Sequence, residues 1–170
     1  MKVQLVNYTS DAVDLLLFTK NTRLMDDDDA YDKISQWDED KKKAELDYML
    51  NTIRSSWEFI DYTFNIREVS RGFTHQFVRT RQASYAQQSQ RTVDMFGFSY
   101  YVPERIENNP EALEAYDNAM TDIADAYQKL REFVPAEDAR GILPTNIHTN
   151  IVAKFNLRTL SEMAKSRLSP

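Results

Sequence analysis

The chain has 170 residues, 42% hydrophobic, 12% aromatic and 28% charged, with a formal net charge of −6. That suits one domain with a sizeable core, and the aromatic content with only three glycines argues against disorder. The chain has no cysteine and only two histidines, His75 and His148; thiol nucleophiles, disulfides and thiolate metal sites are excluded, and a His-rich metal site or Ser-His-Asp triad has little to draw on.

Val3 to Asn7 reads as a short strand, with Thr9, Ser10 and Asp11 as cap candidates for a helix marked by Val13, Leu16, Leu17, Phe18 and Leu24. The tetrad Asp26 to Asp29 reads as a solvated loop. Four adjacent carboxylates cannot converge on one ion without an ordered loop, and no glycine supports one. Trp37 and the run Lys41 to Lys43 lead into a helix carrying Ala44, Tyr48, Leu50 and Ile53. Lysines near a helix N-terminus oppose its dipole, so these side chains are expected to face water.

Ile60, Tyr62, Phe64 and Ile66 alternate with polar residues, which predicts a half-buried strand. Ser70 to about Arg79 reads as a helix with Phe73 and Phe77 one turn apart, and Gly72 within it allows close packing. After Ser84 a glutamine-rich run breaks any amphipathic pattern, and Phe96 to Val102 reads as an aromatic strand ending at Pro103. Asn109-Pro110-Glu111 is a strong helix start. Leu113, Tyr116, Met120, Ile123, Tyr127 and Leu130 then predict one long amphipathic helix over about 110–132, stopped by Pro135. Residues 136–142 read as a short helix halted by Pro144, 145–152 as a strand, and Leu157, Leu160, Met163 and Ala164 as a last helix. No repeat or linker interrupts the chain. The expectation is a single α+β domain over residues 1–170, with a short mixed or antiparallel sheet and several helices.

No run of 18 apolar residues exists, and residues 1–6 are too short for a signal-peptide core, so the expected compartment is cytoplasmic with no membrane partner. The acidic balance disfavours nucleic acid as a partner of the whole surface. Against it stands one window. From Arg67 to Arg91, arginines 67, 71, 79, 81 and 91 face a single acid, Glu68, a local balance of +4, while the rest of the chain carries −10. All five are arginine, which favours bidentate binding of phosphate or carboxylate. Glutamines, serines and Tyr85 between them supply further hydrogen-bonding groups, so the window suits a phosphorylated heterocycle. An ion-paired solvated helix face is the plainer reading of such composition. Arg79 and Arg81 can share a ligand if the helix ends near them and the chain extends, because residues two apart then share a face.

Arg79-Thr80-Arg81, seven residues, then Ser89-Gln90-Arg91 resembles the signature of the flavin-dependent thymidylate synthases, Arg-His-Arg, seven residues, Ser, often followed by Gly-Arg-Tyr. Three more blocks resemble the family in the same order: Glu58 ahead of Asp61 to Phe64, Ala139-Arg140-Gly141-Ile142-Leu143-Pro144, and Asn156-Leu157-Arg158-Thr159-Leu160 through Arg167. Thr80 stands where the motif has His, Gln87 where it usually has Glu, and Gln90 and Thr92 where it has Gly and Tyr.

The resemblance implies reductive methylation of dUMP to dTMP, with methylenetetrahydrofolate and NADPH as co-substrates and FAD as cofactor, in a homotetramer whose sites lie between subunits. It implies flavin binding by Arg79, Thr80, Arg81, Ser55, Glu58, Asn156 and Arg158. It implies nucleotide binding by Gln76, Gln87, Ser89, Arg91, Arg140 and Arg167, with Arg140, Ser89 and Arg91 as the catalytic set and no metal. Ser89 has no base beside it in the sequence, so it is read as a hydrogen-bonding group rather than a nucleophile. For Arg158 an ion-pair or capping role near its helix start is an equal expectation. The alternative reading is a catalytically weakened nucleotide- or flavin-binding or assembly protein on the same fold. An RNA-binding module ranks below both, because no aromatic ladder for base stacking is present.

Overall fold

A computed structural model describes residues 1–52 and 54–168; Ile53, which the sequence places on a helix, lies outside the described residues. The elements in chain order are β1 (Lys2–Tyr8), α1 (Ala12–Lys20), α2 (Ala30–Ser35), α3 (Glu39–Thr52), β2 (Asp61–Ser70), α4 (Arg71–Phe77), β3 (Ala83–Gln87), α5 (Glu104–Glu107), α6 (Pro110–Arg131), α7 (Ala136–Ala139), β4 (His148–Asn156) and α8 (Leu157–Leu168). The strands form one antiparallel sheet in the order β1-β2-β4-β3, so the fold is α+β and the mixed arrangement is ruled out. The chain forms two compact units. One holds Met1–Gln4, Asn65–Thr80 and Tyr85–Val152, and the other holds Leu5–Phe64, Arg81–Ser84 and the residues from Ala153 onward.

The second unit packs Leu16, Leu17, Ile34, Met49, Trp57 and Ile60 into one cluster, with Phe18, Trp37 and Leu157 against its edge. Each such side chain contributes about 1.5–3 kcal/mol by leaving water. The first unit buries Ile66, Val69, Met120, Tyr127, Ile147 and Ile151. Helix α6 starts as the sequence demands: Asn109 Oδ1 accepts from Ala112 N at 3.2 Å, and Pro110 takes the first position. Ser70 caps α4 likewise, accepting from Phe73 N at 3.1 Å.

Several expectations are corrected. Asp11 occupies the α1 cap position without a side-chain hydrogen bond, and Thr9 Oγ1 instead accepts from Asp61 N at 3.0 Å, extending the sheet edge. Leu24 falls in a 3₁₀ turn past the end of α1. Lys42 does not face open water. Its Nζ lies 2.7 Å from Asp14 Oδ1 with the two side chains only 12% and 21% exposed, and Lys41 Nζ sits 3.9 Å above the Trp37 ring. Phe96 to Val102 is not a strand. Gly97 turns the chain at φ 61°, and only Tyr100 pairs, in a single bridge to Ile147. Helix α6 meets its expected end within a residue, stopping at Arg131, where Arg131 Nη1 donates to Val134 O at 2.7 Å, and Pro135 takes the cap position of α7. The last strand runs from His148 to Asn156 rather than over 145–152. Strand β3 and helices α2 and α5 carry no strong local pattern in the sequence.

Candidate functional site

Helix α4 ends at Phe77, and the chain turns through Val78 and Arg79 before extending as β3. Tyr85 holds this turn closed. Its hydroxyl lies 2.8 Å from Thr80 O and 3.1 Å from Phe77 O, and its ring meets Phe77 edge-on at 5.6 Å, while Phe77 stacks on Phe73 at 5.1 Å. Burial pushes the Tyr85 phenol pKa up, so it remains a protonated donor. The turn leaves Arg79 and Arg81 exposed, with Thr80 half-buried.

Five residues marked for the nucleotide lie in the first unit: Gln76, Gln87, Ser89, Arg91 and Arg140. Two of them meet at one residue that the sequence did not single out. Arg91 Nε lies 3.1 Å from Glu137 Oε1, and Arg140 Nε donates to Glu137 O at 3.1 Å. Ser89 Oγ accepts from Arg91 N at 3.1 Å, a local turn that sets the backbone at Arg91 and leaves the hydroxyl proton free to be donated. Gln87 Nε2 donates to Thr74 Oγ1 at 2.8 Å, and buried Thr74 donates onward to Arg71 O at 2.9 Å. Gln76 is exposed on α4. Arg71 is half-buried, and its pKa falls below the ordinary arginine value through burial first and the charge of Arg140 second. Gly72 N donates to Thr145 O at 2.7 Å, and a Cβ there would stand 3.5 Å from that oxygen, so the approach is close without forbidding a methyl group.

The flavin-side residues Ser55, Glu58, Arg81, Asn156 and Arg158 lie in the second unit, as does Arg167, while Arg79 and Thr80 belong to the first. Glu58 and Asn156 line a polar cavity of about 260 Å³ with Asp61, Gln82, Ala83, Ser84 and Lys154. Lys154 Nζ pairs with Asp61 Oδ2 at 2.9 Å. Arg158 Nη1 contacts Glu58 Oε1 at 2.7 Å and Nε contacts Glu162 Oε1 at 3.2 Å; Glu162 and then Glu58 raise its pKa. Asn156 Oδ1 accepts from Thr159 N at 2.8 Å and so caps α8. Arg158 and Asn156 thus have structural work at the helix start, beside whatever else they touch. Ser55 opens a 3₁₀ turn and Arg167 lies in the last turn of α8, both exposed and away from that cavity lining. Gln82 stands among the hydrogen-bonding residues of the arginine window and Asp61 in the block after Glu58, neither marked as a site residue, and Lys154 carries no mark in the sequence at all. Lys154 alternates with buried neighbours on β4, which is the one signal that places it on an exposed face.

Among the described residues no helix is long and apolar enough to cross a membrane, and no three His, Asp or Glu groups gather to hold a metal ion.

A profile of the family described as "Thymidylate synthase complementing protein" matches residues 4–170. The "Flavin-dependent thymidylate synthase" of Pyrococcus abyssi (strain GE5 / Orsay) is 34% identical over 176 residues, covering 99% of this chain and 71% of that protein. The protein of the same name from Geobacter sulfurreducens is 42% identical over 110 residues, covering 63% of this chain and 47% of its own length. That from Sulfolobus acidocaldarius is 34% identical, covering 99% and 65%. The chain therefore spans between about half and seven-tenths of the length of these relatives. Among solved structures, a crystal structure of a UMP/dUMP methylase PolB from Streptomyces cacaoi bound with 5-Br dUMP shares the fold. Its TM-score is 0.78 at 19% identity, covering 96% of this chain and 76% of that one. With a profile match over nearly the whole chain and relatives at about one-third identity over 99% of it, the chain belongs to the thymidylate synthase complementing protein family.

Proposed function

We propose that this chain, as one domain over residues 1–170, catalyses the reductive methylation of dUMP to dTMP with FAD, methylenetetrahydrofolate and NADPH. The observation that carries the reading is the meeting of Arg91 and Arg140, far apart in sequence, at Glu137. The two guanidinium groups bind the nucleotide phosphate and stabilise negative charge developing on the pyrimidine. Ser89 donates its free hydroxyl proton to the nucleotide, and Gln76, Gln87 and Arg167 complete its polar shell.

The residues present fit part of a flavin dinucleotide. Glu58, Asn156, Gln82, Ser84 and Lys154 offer both donors and acceptors around one polar cavity, and its volume of about 260 Å³ takes one fragment of the cofactor rather than all of it. That is below the usual ~300–1,000 Å³ of a complete ligand site. A homotetramer with sites at subunit interfaces supplies the missing walls, with Arg79, Thr80, Arg81, Ser55 and Arg158 as the remaining flavin contacts. When bound, the flavin supplies the hydride chemistry. The protein's own part is positioning and charge, as expected of a chain with no cysteine to attack the pyrimidine ring.

The test is chromatographic detection of dTMP from purified protein given dUMP, FAD, methylenetetrahydrofolate and NADPH. Product that disappears on omission of any one component is expected. Protein that retains flavin and binds dUMP yet forms no dTMP would overturn the catalytic reading in favour of a binding protein on this fold.

A further inference from the structure

We infer that Asn150 is a positioning residue for nucleotide binding: its side-chain amide locks together the two segments that carry the nucleotide shell, one entering α4 and the other leaving β3. This rests on the nucleotide-binding reading above. Every contact in it lies within one compact unit.

The first observation is a fault in β2. Its buried residues Ile66 and Val69 stand three apart rather than two, with Arg67 and Glu68 both exposed between them. Side chains of a regular strand alternate, so the strand takes up one extra residue here, as a bulge does. Glu68 absorbs it at φ 58°, a left-handed conformation that is costly for any residue with a Cβ. The Glu68 N–H donates to Asn150 Oδ1 at 3.2 Å, so a side chain of β4 holds the bulge in place. Two residues further on, Ser70 caps α4, the helix that carries Gln76 and Thr74, the partner of Gln87.

The second observation is the other end of the same amide. Asn150 Nδ2 donates to Gln88 Oε1 at 3.0 Å, and Gln88 N donates to Asn150 O at 2.9 Å. Gln88 follows the last residue of β3 and sits between Gln87 and Ser89. The amide therefore works in both senses at once, as acceptor toward β2 and as donor toward Gln88. The third observation is the space beside it. Glu68, Gln88 and Asn150 line a cavity of about 260 Å³ that Asp94, Ser99 and His148 also face. With open space on that side, hydrogen bonds rather than packing set the place of Gln88. Releasing them lets Gln87 and Ser89 drift, and a small misplacement of a binding group is expensive.

The test is calorimetric titration of Asn150→Leu, Asn150→Asp and Gln88→Leu beside wild type, with dUMP and with FAD separately, at a temperature where melting curves show each protein folded. Asn150→Leu loses both bonds of the amide and is expected to raise the dUMP Kd about tenfold while leaving the FAD Kd within about twofold. Asn150→Asp still accepts from Glu68 N, and Gln88 can turn its amide to donate to it, so dUMP affinity should return to within about threefold of wild type. Gln88→Leu leaves the bond from Glu68 intact and covers the case in which Asn150→Leu does not fold; it should raise the dUMP Kd about three- to tenfold. Wild-type dUMP affinity in Asn150→Leu and Gln88→Leu, with Arg140→Ala impaired, makes the relay merely structural and overturns the inference while the nucleotide reading stands. Equal loss of dUMP and FAD, or Asn150→Asp as weak as Asn150→Leu, overturns it as well. Absence of dUMP binding by the wild type overturns both.

Discussion

Gln87 stands where the family resemblance leads one to expect glutamate, and its amide nitrogen holds a neighbour in place. Nε2 donates to the Thr74 hydroxyl at 2.8 Å, which frees the Thr74 proton for Arg71 O. A carboxylate can only accept, so glutamate at this position would take the Thr74 proton and leave the Arg71 carbonyl without it. Gln87→Glu is therefore expected to lower stability by about 1–2 kcal/mol, a drop of several degrees in Tm by circular dichroism. An unchanged melt would show that the Thr74 relay does not hold this turn. The residue types of this network are plain in the sequence, but the relay is not, because Thr74 and Gln87 meet only once α4 and β3 are packed. Tyr85 is a similar case. Its side chain is legible as a hydrogen-bonding group, whereas its role in closing the turn before β3 depends on carbonyls at Phe77 and Thr80 that no sequence pattern marks.

At the scale of elements, those with strong local signals were legible. Helix α6 carries a cap, a proline at its first position and an unbroken apolar stripe, and all three survive in the structure. Strand β3 was not legible because its five residues are mostly polar and only half-buried, so alternation carries no hydrophobic contrast. The reverse error at Phe96 to Val102 arose from aromatic content, which outweighed the glycine that turns the chain at φ 61°. Strand β1 presents every residue to solvent, and the Lys2–Glu68 ion pair fastens its start to β2. The hydrogen bond from Lys2 is the largest influence holding the Glu68 carboxyl below its ordinary value of 4.5. A carboxylate whose folded pKa is depressed stabilises the fold above its unfolded value and loses that contribution as pH falls through the folded value. The Tm difference between wild type and Lys2→Met is thus expected to be present at about pH 6 and to close on the acid side of 4.5, small because both groups are exposed. A difference unchanged down to about pH 3 would mean that Lys2 acts on β1 by something other than this charge pair.

Over the whole molecule, the order of the motif blocks in the chain announced the family, and the contacts that make them work were hidden. Arg91 and Arg140 were legible as isolated arginines, while Glu137, which joins them, sits in a short helix with no sequence signal of its role. The sequence also gave no hint that the candidate residues sort by chemistry. Apart from Arg79, Thr80 and Arg167, the nucleotide-side residues lie in one compact unit and the flavin-side residues in the other. Arg158 joins Glu58 and Glu162 within its own unit and shares no described contact with Arg140, which leans on Glu137 within the other. Substitutions that are well separated and share no partner usually add in free energy. With each ligand titrated alone, Arg158→Ala is expected to raise the FAD Kd about three- to tenfold, because it releases Glu58 at the rim of the polar cavity, and to leave the dUMP Kd within about twofold. Arg140→Ala should do the opposite, with a larger loss for dUMP if the phosphate contact proposed for it is made. The double variant should then show the sum of the two free-energy changes. Loss of both ligands to the same degree from either single substitution would sink the proposed division of roles, Arg158 with the flavin and Arg140 with the nucleotide.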